Sequence, residues 1–529
     1  MIDRSTSLVR FGTPTGRWVI VATVLGSGMA AIDATVVGIA LPTIGRQFHA
    51  SLGTLQWVVT GYTLTLASLL LLGGSLGDHF GRRRIFAIGV VWFTLASATC
   101  AVVPGTTALI VARILQGIGG ALLTPGSLAI LQASFDPDDR GRAIGAWSGL
   151  GGVATAAGPL LGGYLIAAAS WRFIFVINVP LGVVVLFISI RHVPESRDPT
   201  AVHHIDVLGA LLATVALAGV TYGLIEGPEQ GWAKPAVTTM LAVGIVSAAA
   251  FILVERASSA PMLPLSVFRL RQFTVTNGVT FIVYAALGGA LFLLPVQLQV
   301  ADHYSPLESG LALLPLTLIM LALSARSGKL ATRIGPRLQM SVGPVVVGVG
   351  LALLARVATD SNYLSGVLPA VLVFGFGLAI TVAPLTATAL AAVPSEHSGL
   401  ASAVNNDVAR IGSLIAVAVL PALAGISGVS YLHPAEFSKG FRTATFVAAA
   451  LCLAGGVLSA VGIRNPTSAP SEPQPPTPQA SPTPQAPIET QVSPTRQTPP
   501  APKEAGCYYC ALEATPLGTR QSAPHGATR

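Results

Sequence analysis

Charged residues are scarce in this chain of 529 residues: only 10% are Asp, Glu, Lys or Arg, against about a quarter in soluble globular proteins. A chain with so few charges cannot build a water-facing surface, which argues against a soluble enzyme, a secreted domain or a nucleic-acid-binding protein. Hydrophobic residues make up 52%, and the 56 glycines exceed the usual share, as is typical of packed membrane helices. The composition predicts an integral membrane protein.

Cysteine is also scarce, with four residues. Cys100 and Cys452 lie in apolar stretches, where a free buried thiol is the ordinary case. Cys507 and Cys510 form a C-x-x-C pair in a polar tail, without the second ligand pair of a zinc site or the folded scaffold of a redox site. The chain lacks the phosphate-binding G-x-x-x-x-G-K-[ST] motif and the usual hydrolase and metalloprotease patterns. We therefore expect no cofactor, no bound metal and no enzymatic activity.

Fourteen apolar stretches of about 20 residues are separated by polar breaks, and each is long enough to cross a bilayer as a helix. They lie at about 18–44, 54–76, 85–103, 107–131, 142–167, 171–190, 206–225, 236–254, 274–299, 307–325, 338–356, 364–391, 400–423 and 443–463. The first is too long for the core of a signal peptide, so it is predicted to be an uncleaved span.

The basic residues predict how these spans are oriented. With the N-terminus in the cytoplasm, the cytoplasmic segments carry 18 Arg and Lys residues and the outer loops carry six. Cytoplasmic loops of membrane proteins are enriched in these residues. We therefore expect a multi-pass protein of the cytoplasmic membrane with both termini in the cytoplasm. The same enrichment explains the net charge of +8 without a nucleic-acid partner.

A short repeat relates the loop after span 2 to the loop after span 10. At an offset of 254, Gly74, Leu76, Gly81 and Arg83 recur as Gly328, Leu330, Gly335 and Arg337. The repeat unit is therefore six spans, and spans 7 and 8 are an insertion. Two parallel six-helix halves around a midplane site are an architecture of large alternating-access transporters.

These patterns predict an all-α membrane protein of two six-helix bundles plus two inserted helices. The predicted segments are a cytoplasmic N-terminus (1–17), an N-terminal bundle (18–191), a linker with helices 7 and 8 (192–260), a C-terminal bundle (261–463) and a cytoplasmic tail (464–529). The tail is rich in Pro, Ser, Thr and Gln and is predicted to be disordered. Its Pro-x-Pro stretches leave open the binding of a partner.

The loop from Gly74 to Arg84 has glycines that allow a tight reversal between helices and an aspartate just before span 3, where the helix N-terminus favours a carboxylate. It resembles the loop signature G-x-L-a-D-r-x-G-r-k of the major facilitator superfamily, with His79 in place of the usual basic residue. The resemblance implies that the loop controls conformational change. The matching residues are Gly74, Asp78, Gly81, Arg82 and Arg83.

Span 5 contains a proline inside a run of glycines, which leaves a groove for close helix contact. Gly158, Pro159, Gly162 and Gly163 are similar to the antiporter motif g-x-x-x-G-P-x-x-G-G of exporters in that superfamily, with Ala154 at the first glycine. The string from Asp33 to Pro42 is similar to the L-D-x-T-V-V-N-V-A-L-P signature of the fourteen-helix drug:proton antiporters, with Gly38 in place of Asn. Further strings of that family resemble residues 171–180, 261–265 and 405–410.

Ionisable residues well inside spans are few, and each is costly unless it faces a cavity or a partner. Asp33, Arg113 and Asp407 are the clearest. Arg113 and Gln116 stand in a string that resembles the span-4 motif implicated in proton coupling. Candidates for proton coupling or for the substrate cavity are Asp33, Arg113, Gln116, Asn405, Asp407 and Arg410. The alternative interpretation is that these charged residues form structural ion pairs.

The sequence thus supports the hypothesis of a proton-coupled antiporter that exports hydrophobic or cationic drugs by alternating access. A dedicated exporter of one metabolite, such as an antibiotic, a siderophore or a lipid, is the nearest alternative. A transporter-derived membrane sensor or scaffold and an uptake symporter are further alternatives. The expected partners are a small-molecule substrate, protons and the lipid bilayer.

Overall fold

The computed structural model describes residues 8–198, 205–258, 261–357, 362–394 and 398–465. The regular secondary structure of these residues is helical apart from one isolated bridge between Val9 and Phe135. It has fourteen helices that are long and apolar enough to cross a membrane, as predicted. They are α1 (Pro14–Phe48), α2 (Leu52–Phe80), α3 (Arg82–Val102), α4 (Thr106–Ser134), α5 (Pro137–Ala168), α6 (Phe173–His192), α7 (Val207–Gln230), α8 (Pro235–Ala257), α9 (Arg271–Ala301), α10 (Pro306–Ile334), α11 (Pro336–Leu354), α12 (Tyr363–Ala391), α13 (Gly399–Leu423) and α14 (Pro434–Gly462).

Polar side chains fix where several helices begin. Ser51 caps α2 by accepting a hydrogen bond from the amide of Thr54 at 3.2 Å, and Ser305 forms a capping box with Glu308 at the start of α10. Such caps satisfy backbone amides that have no partner within the helix. Some helices run past their apolar stretches: α10 ends at Ile334 instead of 325, and α14 begins at Pro434 instead of 443. Hydropathy marks the apolar core, whereas backbone hydrogen bonding continues into the polar ends.

Because the chain crosses the membrane an even number of times, Leu8 and Asn465 lie at the same end of the helix bundle, which we call the terminal end. The opposite end is the distal end. The first half of the molecule is α1–α6 and the second half is α9–α14. Residues 466–529, which contain most of the predicted tail with Cys507 and Cys510, lie outside the described residues. The predicted domain boundaries stay predictions.

The two loops related by the sequence repeat have the same geometry. Gly81 (φ +110°) separates α2 from α3, and Gly335 (φ +83°) separates α10 from α11; such positive φ angles favour glycine. The amide of Arg83 donates to Glu195 Oε1 at 3.0 Å, and the amide of Arg337 donates to Asn465 Oδ1 at 3.1 Å. Each loop is therefore tied to the segment that ends its own half of the chain.

The inserted helices α7 and α8 pack tightly against each other and against the first half. A Cβ on Gly219 of α7 would lie 2.8 Å from Gly244 Cα of α8, so only small residues allow the two backbones this close. On the other side of α7, the rings of Tyr222 and Trp57 are 6.1 Å apart. The inserted pair therefore lies beside α2.

Contacts between α5 and α10 loosen from the distal end toward the terminal end. A Cβ on Gly163 would lie 2.6 Å from the carbonyl oxygen of Pro306. Farther along, and counting atoms of the described residues, a Cβ on Gly152 would meet only Leu321 Cδ1 at 3.9 Å, and Cβ positions on Gly145 and Gly141 would meet no atom within 4 Å. The halves are thus in close contact at the distal end and diverge along this helix pair toward the terminal end.

Candidate functional site

A buried ion pair joins α1 to α4 inside the first half. Arg113 Nη1 lies 2.5 Å from Asp33 Oδ2, and each side chain is only 1% exposed. Gln116, one turn after Arg113, donates from Nε2 to Asp33 Oδ1 at 2.8 Å and accepts from Arg113 Nη1 at 2.7 Å. The three predicted residues of the first half therefore form one cluster in which both carboxylate oxygens have partners.

Two further groups hold the guanidinium of Arg113. Its Nε donates to the carbonyl oxygen of Val58 in α2 at 3.1 Å, and its central carbon lies 4.3 Å from the ring centroid of Tyr62. A guanidinium over an aromatic face is attracted by the ring quadrupole. Arg113 therefore keeps partners on α2 that do not depend on Asp33. Tyr62 was not among the residues predicted from the sequence.

Asn178 of α6 and Ser97 of α3 extend the cluster, although neither was predicted as a site residue. Asn178 Nδ2 lies 3.0 Å from Ser97 Oγ and 3.5 Å from Asp33 Oδ1. Its Oδ1 is buried and has no hydrogen-bond partner in the part of the chain that the structure describes. A buried unpaired acceptor is unusual in proteins, and here it belongs to an amide beside the carboxylate. Its only sequence signal is its place in the family-like string 171–180.

A cavity of about 230 Å³ lies between the halves, lined by residues of α1, α2, α5, α9, α10 and α13. Its lining is mostly apolar, and its polar residues are Thr35, Thr60, Thr63 and Ser413. The lining begins at Ala34, the residue after Asp33, so the carboxylate itself points into the first half. Asp33, Arg113 and Gln116 are thus close to the cavity but outside its lining.

The glycines of the predicted antiporter motif make helix contacts on two sides. A Cβ on Gly158 would overlap Thr35 Oγ1, and one on Gly162 would lie 2.8 Å from Val36 Cγ1, both on α1. Gly163 faces the backbone of α10, as described above, and Pro159 lines the cavity. The helix continues through Pro159 without interruption. The motif therefore forms the contact of α5 with both α1 and the second half.

Among the residues that the structure describes, no hydrogen bond joins the predicted residues of the second half to the Asp33 cluster. Asn405 Nδ2 donates to Asn277 Oδ1 at 3.1 Å and to Thr280 Oγ1 at 2.8 Å, which ties α13 to α9. Asp407 is 8% exposed, and its Oδ1 and Arg410 Nε are buried atoms that have no hydrogen-bond partner among the described residues. These residues form a second, less satisfied polar region.

The loop motif at the terminal end is held within the first half. Asp78 Oδ1 lies 2.8 Å from Arg82 Nη2, and Glu195 Oε2 lies 3.6 Å from Arg83 Nε. The amide of Arg82 also donates to the carbonyl oxygen of Ser196. Gly74 lies one helical turn before this network, beside Pro125 of α4.

Two repeated helical halves around a central cavity, in contact at one end and diverging at the other, define a membrane transporter of the alternating-access class. The family model described as Major Facilitator Superfamily matches residues 23–417, and the chain belongs to this family. This confirms the predicted fold class and the family resemblance.

Curated relatives of the chain include resistance and export proteins. The multidrug resistance protein Stp of Mycobacterium tuberculosis (strain CDC 1551 / Oshkosh) is 37% identical over 402 residues, which cover 76% of this chain and 74% of that protein. The tetracenomycin C resistance and export protein of Streptomyces glaucescens is 35% identical over 406 residues, covering 76% and 75%. The crystal structure of a bacterial homologue of the human lysosomal transporter Spinster, inward-facing and unoccupied, has a TM-score of 0.59 at 16% identity and covers 86% of this chain and 100% of that chain.

Proposed function

We propose that this protein is a proton-coupled antiporter that exports hydrophobic or cationic drugs across the cytoplasmic membrane by alternating access. The observation that carries the proposal is the buried cluster of Asp33, Arg113 and Gln116, which places a titratable carboxylate one residue from the central cavity. The relatives, which are resistance and export proteins, support the direction of transport and the substrate class.

The excess of Arg and Lys on one side supports an orientation with the terminal end in the cytoplasm. The divergence of α5 and α10 then faces the cytoplasm, and the distal contact faces outward. In this arrangement a substrate reaches the cavity from the inside, as export requires. Lipophilic substrates fit a lining that is apolar apart from a few hydroxyls.

Proton exchange in this proposal takes place at Asp33. When Asp33 is ionised, Arg113 and Gln116 satisfy both of its oxygens. When Asp33 takes up a proton, Arg113 keeps the carbonyl of Val58, the side chain of Gln116 and the ring of Tyr62. The guanidinium is thus never left without partners, which would be costly inside a protein. Rotation of the Asn178 amide would turn its unpaired Oδ1 toward a protonated Asp33.

The membrane potential supplies enough energy for this exchange when the drug is neutral. One proton crossing about 100 mV releases about 2.3 kcal/mol. Since about 1.4 kcal/mol corresponds to a factor of ten, one-for-one exchange of a neutral drug against a proton supports a gradient of roughly 50-fold. A cationic drug exchanged one-for-one moves no net charge and depends on the pH difference alone.

Substrate-dependent proton release from the purified protein tests the proposal. Adding an organic cation such as ethidium to the wild type should release protons, and Asp33→Asn should abolish the release and proton-driven efflux in vesicles. Glu436→Gln is the matched control, because this carboxylate is 69% exposed at the surface. The proposal is wrong if the wild type releases no protons or if Asp33→Asn transports as well as Glu436→Gln.

A dedicated exporter of a single metabolite is a second candidate, because some relatives are named for one antibiotic, as in tetracenomycin C export. A panel of toxic compounds tested on an overexpressing strain separates the two. Protection against several unrelated compounds supports multidrug export, and protection against one supports the dedicated exporter.

A further inference from the structure

The end of the inserted helix α7 touches both halves of the protein through one carboxylate. Glu229 Oε1 accepts a hydrogen bond from the amide of Gly53 at 3.3 Å and one from the amide of Gly428 at 2.8 Å. Gly53 lies in the first turn of α2 in the first half. Gly428 lies between α13 and α14 in the second half. A single oxygen atom from outside the two halves therefore joins them at the distal end.

The Glu229 carboxylate adds to a set of contacts between the halves. These contacts are formed by residues 50–53 of the first half and 428–431 of the second, and we call them the distal seam. The amide of Leu52 donates to the carbonyl oxygen of Gly428 at 2.8 Å. The hydroxyl of Tyr431 donates to the carbonyl oxygen of Ala50 at 2.9 Å. Burial raises the pKa of Tyr431 to about 12, so this hydroxyl stays protonated. Glu229 is the charged side chain among these bonds.

We propose that Glu229 is a positioning residue that holds the distal end closed, so that the inserted helix pair takes part directly in alternating access. The inference rests on the proposed function, because a distal end that never opens needs no such residue. The amide of Gly53 belongs to the first turn of α2, whose amides have no partner within the helix. The positive end of the helix dipole further favours a negative charge there.

Opening the distal end requires Gly428 to move away from Gly53, since the two belong to different halves. Glu229 Oε1 must then release at least one of the two amides. Hydrogen bonds to a charged acceptor are stronger than neutral ones. Loss of one such bond corresponds to about a tenfold change in an equilibrium constant. The structure thus predicts a shift toward the distal-open state when the carboxylate is removed.

Glu226, one turn earlier on α7, provides a matched control. Its Oε1 accepts from Trp57 Nε1 at 2.9 Å and its Oε2 from Gln230 Nε2 at 2.5 Å. Trp57 belongs to the first half and Gln230 to α7 itself. Glu226 therefore fastens α7 to the first half and, among the described residues, forms no hydrogen bond to the second.

Spin labels on the two halves measure the distal separation directly. Val102→Cys at the end of α3 and Lys439→Cys near the start of α14 are exposed positions at the distal end. They are labelled in full-length protein whose four native cysteines are replaced by alanine, in lipid nanodiscs. Double electron–electron resonance then compares the distance distributions of Glu229→Ala, Glu229→Gln and Glu226→Gln with the parent protein.

Glu229→Ala should raise the ratio of the long-distance to the short-distance population about tenfold, and Glu229→Gln should raise it less, because an amide oxygen remains as an acceptor. Glu226→Gln should leave the distribution unchanged. Glu229→Gln keeps the shape of the side chain and serves as the decisive variant if Glu229→Ala does not fold. The inference is overturned if the Glu229 variants match the parent, or if Glu226→Gln shifts the distribution equally. Proton release by the parent is measured separately, so a failure of the proposed function is distinguished from a failure of this inference.

Discussion

Replacing Arg113 with lysine is a strict test of the Asp33 cluster, because it keeps the charge and removes the geometry. Arg113 donates from Nη1 to Asp33 and Gln116 and from Nε to the carbonyl of Val58, and its flat guanidinium lies over Tyr62. Lysine carries one compact ammonium group at the end of a shorter side chain. It can keep the ion pair or the contacts on α2, but it cannot hold both in this arrangement.

The size of the effect follows from the bonds that are lost. A hydrogen bond from a charged donor contributes about 1.5–3 kcal/mol. Losing the bond to Val58 alone therefore corresponds to at least about a tenfold change in an equilibrium constant. We expect Arg113→Lys to lower proton-driven efflux by at least about tenfold. We also expect it to weaken substrate-dependent proton release. Both are measured in vesicles that contain equal amounts of correctly inserted protein.

Tyr62→Phe is the control for this substitution. It keeps the ring under the guanidinium and removes only a hydroxyl that lies 3.5 Å from the carbonyl oxygen of Ala30. Its efflux should stay within about twofold of the wild type, because a hydrogen bond this long is weak. Wild-type efflux by Arg113→Lys would refute the role assigned to the cluster. An equal loss in Tyr62→Phe would show that general packing explains the result.

Three further substitutions test other parts of the molecule. Gly81→Ala should destabilise the protein by about 1–3 kcal/mol, because φ is +110° and the new Cβ would lie 2.8 Å from Glu195 Oε1; an unchanged melting temperature would contradict this. Gly163→Leu should stop transport while leaving the protein folded, because the side chain would separate α5 from the backbone of Pro306; normal efflux would count against it. Asn178→Leu should reduce proton release per substrate more than substrate binding, and equal losses of both would argue for a merely structural role.

Most of the fold could be predicted from the sequence because the bilayer imposes simple rules. A helix must be apolar over about 20 residues to cross it, and the fourteen stretches follow from that requirement alone. The loop repeat identified the two halves because Gly81 and Gly335 are both needed where φ is positive. The ends of α10 and α14 could not be located by hydropathy, since helical hydrogen bonds continue where the apolar stretch stops.

The candidate site was predicted in part, for a physical reason. Asp33 and Arg113 stood out because charges inside spans are rare and costly. Asn178 and Tyr62 did not stand out, because polar uncharged residues are common in membrane helices and their role depends on which helix faces they meet. Those faces are set by packing between distant segments. Glu229 was missed for the same reason: its two partners lie 176 and 199 residues away in the chain.

The distal end is closed by contacts of different strength, and this difference indicates how it opens. Where α5 meets α10, Gly163 and Gly310 bring backbone against backbone, so the helices can part without withdrawing interlocked side chains. The distal seam, by contrast, is held by directional hydrogen bonds that must break. Opening is therefore resisted at residues 50–53 and 428–431, where Glu229 acts, and by two further hydrogen bonds between the halves, from Gln56 to the carbonyl of Val417 and from Gln299 to the carbonyl of Ile39. The antiporter motif permits the movement, and the inserted helix pair opposes it.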